Sequence, residues 1–156
     1  MMMIESSIAK PLPNENVISF KETRWQVKFP NAYREFLKKY NAGIPIQRFF
    51  EVGGKTFAIE RFLGIIKDYK THELGWYDIG VVESQIGERL TSNGDLIGME
   101  VVPIAALFAG DMLCLDCAVE DPKPVLVWLH EESGEFDPYF VKVADSFEEF
   151  LTMLHE

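Results

Sequence analysis

A chain of 156 residues that is 47% hydrophobic and 13% aromatic suits one domain with a real core and argues against a disordered chain. Its formal net charge of −10 sets a field that repels nucleic-acid phosphates and anionic membranes while favouring a basic partner. Two cysteines cannot staple a fold of this size, no apolar run approaches the roughly 20 residues of a membrane span, and Met1 to Ser7 lacks the basic and apolar regions of a signal peptide, so a cytoplasmic protein is expected.

Pro11-Leu12-Pro13 closes a short lead-in, residues 1–13, after which residues 14–156 read as one domain without repeats or linkers. Asn14 suits the N-cap of a first helix reaching about Trp25, with Val17, Ile18 and Trp25 as its apolar contribution. A second helix follows Pro30-Asn31. Tyr33, Phe36, Leu37 and Tyr40 recur at i, i+3, i+4 and i+7 on one face, Lys38 and Lys39 suit the negative end of its dipole, and Gly43 can close it. Strands over Arg48–Val52 and Lys55–Glu60 flank Gly53-Gly54, a two-residue hairpin signal because both turn positions need positive φ. Asp78 can cap a helix whose Ile79, Val82, Ile86 and Leu90 share a face, and Asn93-Gly94 then turns the chain. Four further strands are expected at Val101–Phe108, Met112–Val119, Val125–Glu131 and Tyr139–Val143. Asp145, with Glu148 reaching back, forms the capping box of a closing helix docked by Phe147, Phe150, Leu151 and Leu154. The fold class is α+β, with helices at both ends packed on a largely antiparallel sheet.

These residues resemble a known family. Phe29-Pro30-Asn31-Ala32-Tyr33 through Phe36-Leu37 to Asn41-Ala42-Gly43 is similar to the L-P-x-x-Y-x-x-F-L…N-G-G signature of the SUKH superfamily. Val102-Pro103-Ile104-Ala105, with Gly110-Asp111-Met112-Leu113-Cys114-Leu115-Asp116, resembles its I-P-I-A…G-D…I-C-L-D strand pair. Ala144-Asp145-Ser146-Phe147-Glu148-Glu149-Phe150-Leu151 resembles its closing helix. Ala42 stands where the family has a glycine, Phe29 where it has leucine, and the segment from Thr71 to Leu96 matches least. The resemblance implies a bacterial immunity protein that binds a cognate toxin domain, often a nuclease, in the cytoplasm. The fungal relatives it also implies are regulators of cell-wall assembly that act through protein contacts. The signature blocks themselves read as residues that keep the fold.

Motifs for chemistry are sparse. The chain has no P-loop, no nucleophile elbow, no zinc-protease helix and no dinucleotide-binding glycine run. Cys114-Leu115-Asp116-Cys117 has redox or zinc spacing, but in a strand the two sulfurs point to opposite faces and no second ligand pair accompanies them. Two free thiols without metal are therefore expected. His72, His130 and His155 stand beside no recognisable nucleophile, and Asp111 after Gly110 reads first as a turn residue. No cofactor and no catalytic residue is assigned. An enzyme of unknown chemistry and a regulatory scaffold remain the alternatives to an immunity protein.

The charge is unevenly placed. Met1 to Pro45 carries 7 Lys/Arg against 4 Asp/Glu, while Val101 to Glu156 carries 2 against 12. Asp116, Glu120, Asp121, Glu131, Glu132 and Glu135 are the expected partner-binding residues, gathered near one edge of the C-terminal sheet to meet a basic toxin domain. Neither nucleic acid nor membrane is an expected partner.

Overall fold

A computed structural model describes residues 2–156. Its helices are α1 (Glu15–Trp25), α2 (Asn31–Tyr40), α3 (Ile79–Ile86) and α4 (Phe147–Met153). Its strands are β1 (Phe49–Val52), β2 (Lys55–Phe62), β3 (Val101–Leu107), β4 (Met112–Asp116), β5 (Val125–Trp128) and β6 (Phe140–Ala144). The six strands lie in the sheet in chain order, every named pair antiparallel, so the expected α+β architecture is the observed one.

Local chemistry accounts for most of the elements. Asn14 Oδ1 accepts from Val17 N at 2.9 Å and starts α1. Ile18 and Trp25, seven residues and two turns apart, share its buried face; Val17, one position round the helix, is 38% exposed rather than in the core. Val52 pairs with Lys55 across Gly53 and Gly54, whose φ of 57° and 81° are those of the two-residue turn expected there. Along α2, Tyr33, Phe36 and Leu37 are buried. Phe147 of α4 meets Tyr33 and Phe36 edge-on, with ring centroids 5.2 and 5.0 Å apart. Ser146 caps α4 by accepting from Glu149 N at 3.1 Å. The cap is therefore one residue later than expected, because Ser146 has the extended backbone that aims its hydroxyl at the third helical amide. Asp145 instead pairs with Lys142.

Alternation along the strands divides the interior. Leu113, Leu115, Val125 and Val127 face the main core with α1, α2 and α4. Cys114, Val101 and Trp128 face the opposite way, into a smaller cluster closed by Leu90, Ile86 and Phe140. The α-helix expected to run from Ile79 to Leu90 ends at Ile86, where Gly87 begins a single 3-10 turn, and Leu90 turns into the second cluster. Two strands are also shorter than their composition suggests. β4 stops at Asp116, whose carboxylate accepts from Ala118 N at 3.1 Å and bends the chain; β5 stops at Trp128, before a 3-10 turn over His130–Glu132.

The first 13 residues are more than a lead-in. Ile8 and Ala9 are buried, Ile4 N donates to Ile44 O at 2.9 Å, and Arg61 donates to the carbonyls of Ser7 and Ala42 at 2.8 and 2.7 Å. Ala42, at the position where the family has glycine, adopts a left-handed φ of 54° and is fully buried. No described helix is long and apolar enough to cross a membrane.

Candidate protein-interaction site

The register of β4 and β5 decides where the acidic residues stand. Leu115 opposes Val125 and Met112 opposes Trp128. Asp116, Glu120 and Asp121 therefore lie at one end of this hairpin, and Glu131, Glu132 and Glu135 at the other. The six carboxylates do not gather at one edge as expected. In an antiparallel hairpin the end of one strand adjoins the start of the next, so Glu131, beyond the end of β5, is separated from Asp116 by the length of that strand, about 13 Å for four residues.

The two groups differ in how far the fold neutralises them. In the first, Asp121 lies 3.9 Å from the ammonium of Lys123, a buried lysine that donates to Val119 O at 2.6 Å. In the second, Glu132 and Glu135 are exposed and in no ion pair among the described residues, and Glu131, its side chain 87% exposed, reaches only the His130 ring at 4.0 Å.

This second group sits on an ordered support. Arg89, in the turn after α3, donates to His130 O at 2.6 Å and Ser133 O at 2.9 Å. Its guanidinium stacks 4.9 Å above the Trp128 ring, whose indole N–H donates to Arg89 O at 3.0 Å. Asp111 is buried, and its Oδ1 accepts from His130 N at 3.1 Å and from the His130 ring Nδ1 at 2.6 Å. Beside them Phe136 N donates to Glu88 O at 2.6 Å. The cation of Arg89 is thus spent on carbonyl oxygens, which fixes the turn and leaves its carboxylates facing water. Replacing Arg89 with alanine is expected to cost roughly 2 kcal/mol and to speed amide exchange in 130–133 before the rest of the sheet. Unchanged protection of those amides would show that the turn holds itself.

The Asp111–His130 pair has the first two parts of a hydrolytic triad without a nucleophile in place. The hydroxyl of Ser133 donates to Leu129 O at 2.8 Å and accepts from Tyr139 N at 2.9 Å. The adjoining cavity, lined by Lys55, Asp111, His130 and Glu131 among others, holds about 160 Å³. That is below the roughly 300 Å³ at which ligand pockets begin. Among the described residues no three His, Cys, Asp or Glu side chains converge as metal ligands would.

Cys114 and Cys117 are free thiols. Cys114 packs in the smaller cluster and Cys117 against the main core, so the sulfurs do lie on opposite sides, but Cys117 falls in the turn after β4 and not in the strand as expected. Burial pushes the Cys114 thiol far above its ordinary range and Cys117 up to about 12, Lys123 pulling the latter slightly back. Thiolate is the reactive form, so at pH 8 both should resist a disulfide-exchange reagent in the native protein and react fully in denaturant. Fast native labelling of Cys114 would contradict the packing described here.

Arg89 and the Asp111–His130 contact were missed in the sequence. The signal for the second was present: Asp111 precedes β4 as His130 follows β5, and the two meet once the register is known.

A four-helix, six-strand antiparallel meander with an ordered acidic turn defines an α+β domain of the kind the signature blocks imply. The chain belongs to the SUKH superfamily: the model of its SMI1-KNR4 cell-wall family matches residues 15–151. It is also similar to an SPbeta prophage-derived uncharacterized protein, YokK, of Bacillus subtilis (strain 168), with 26% identity over 133 residues covering 81% of this chain and 67% of that protein.

Proposed function

We propose that this chain is an immunity-type protein that binds a cognate bacterial toxin domain in the cytoplasm and neutralises it, acting by binding and not by catalysis. The observation that carries the reading is the acidic turn: Glu131, Glu132 and Glu135 are presented on a backbone held by Arg89 and Asp111. A surface ordered before encounter loses less freedom on binding, and its uncompensated charge attracts a basic domain such as a nuclease with its phosphate-binding groove. Family membership supports a role through protein contacts.

The cell-wall description of the matching family supports a second reading, a regulatory scaffold. One experiment separates the two. The C-terminal domain of a large toxin encoded beside this gene is expressed from an inducible promoter, with and without this chain. An immunity protein restores growth and co-purifies with the toxin domain in a fixed stoichiometry. Growth arrest that persists despite abundant folded chain would reject the immunity reading.

A further inference from the structure

The segment from Thr71 to Leu96, least like the family in sequence, carries the most exposed tryptophan of the chain. Trp76 is 72% exposed and Tyr69 beside it 41%, whereas Trp25 and Trp128 are buried. The backbone there is tied down. His72 N and Thr71 N both donate to Asp68 O at 3.0 Å, Gly75 N donates to His72 O at 3.0 Å and Tyr77 N to Leu74 O at 2.9 Å. The His72 ring accepts from Leu74 N at 2.9 Å through Nδ1 and reaches Lys10 O at 3.1 Å through Nε2. Gly75 is required by close approach, since a Cβ there would lie 1.9 Å from Tyr69 O. The aromatic rings are therefore held out in water at some cost in exposed apolar surface.

Two cavities adjoin along Tyr69 and Val81, one of about 270 Å³ reaching Trp76 and Lys70, the other of about 510 Å³ reaching Lys21 and Arg24 of α1. Together they form a groove between α1 and the start of α3. Lys21, Arg24 and Lys70 have no carboxylate within ion-pair distance among the described residues. Two carboxylates, Asp78 and Glu83, line the groove, and Asp68 and Glu73 stand exposed in the adjoining chain. Asp78 is buried and accepts from Ile66 N and Val81 N at 2.9 and 3.2 Å, while the Glu83 carboxyl lies against Gly87, half-buried and with its pKa raised by that burial.

We propose that this groove binds an extended acidic segment of a partner protein, its carboxylates meeting Lys21, Arg24 and Lys70 and an apolar side chain seated on Trp76 and Tyr69. Charge complementarity selects the occupant: three cations outside any ion pair among the described residues, Lys21 lying 5.6 Å over the Trp25 ring, near two exposed rings on a chain whose net charge is −10. That overall charge opposes a nucleic-acid strand, while two or three carboxylates on a short segment suit three cations. The groove and the acidic turn attract opposite charges, so this inference stands apart from the toxin reading.

The test uses the intact protein and no toxin. Displayed random peptides of about twelve residues are selected on it, and a synthetic peptide of the enriched sequence is titrated by fluorescence anisotropy. Enriched sequences should carry acidic residues around an aromatic or aliphatic one. Trp76→Ala, and separately the pair Lys21→Ala with Arg24→Ala, should each weaken binding by about tenfold or more, while Phe108→Ala, at an exposed aromatic elsewhere, leaves it unchanged. Enrichment without acidic residues, binding indifferent to both groove variants, no enrichment at all, or tighter binding of a short oligothymidine would each overturn the proposal.

Discussion

Replacing Asn41 with alanine is expected to destabilise the fold by about 3 kcal/mol, lowering Tm by roughly 6–12 °C for a domain of this size. Asn41 is 1% exposed and its side chain is fully engaged. Its Oδ1 accepts from Ile65 N at 2.8 Å; its amide donates to Ile65 O at 2.9 Å and Ala9 O at 3.3 Å. One side chain thus joins the end of α2, the exit from β2 and the N-terminal segment. Alanine leaves those buried peptide groups without their partners, and each such group costs about 1–3 kcal/mol. Asn41→Asp should be no milder, because a carboxylate keeps the acceptor but loses both donations and adds a buried charge. Gly64→Ala tests the same joint from the other side, since a Cβ there would fall 2.1 Å from Asn41 Oδ1 and 2.7 Å from Ala42 N. Urea unfolding measures all three. A loss below about 1 kcal/mol for Asn41→Ala would mean that the network is replaceable.

Reversing Glu131 and Glu132 to lysine together should slow association with the cognate toxin domain by an order of magnitude or more at physiological salt. Both residues are exposed, and Arg89 and Asp111 secure the turn through backbone groups and His130, not through these carboxylates. Folding should therefore be nearly unchanged, exposed charges being worth about 0–1 kcal/mol. The rate difference should shrink as salt rises, because the screening length, about 8 Å at physiological ionic strength, shortens. The same reversal at Glu120 and Asp121 should act less strongly, since Lys123 already lies 3.9 Å from Asp121. Stopped-flow or surface-based kinetics at two salt concentrations distinguish these outcomes. An association rate that ignores both salt and charge reversal would remove the electrostatic part of the proposal and leave binding to an apolar surface.

Much of the fold was legible because its signals are local. Helical spacing placed Tyr33, Phe36 and Leu37 on the buried face of α2, and Gly53-Gly54 marked a hairpin because few other pairs tolerate two successive positive φ values. Strand alternation was enough to turn Cys114 away from Leu113 and Leu115, whereas Cys117 lies in the turn beyond β4. The signature around Asn41 was recognisable as a family feature, but nothing local says that its amide spans to Ile65 and Ala9, partners 24 and 32 residues away.

Read alone, the sequence determined the order and type of the elements, the buried face of α2 and the acidic bias of the C-terminal third. Only the tertiary structure decided which of those carboxylates stand together, that Arg89 and Asp111 brace one group, and that the open Trp76 shares a cavity with Lys70 next to one lined by Lys21 and Arg24. Periodicity and turn chemistry act within a few residues of chain. Which end of a strand a charge occupies, and which cation a distant segment leaves unpaired, depends on strand register and on contacts between residues far apart in sequence.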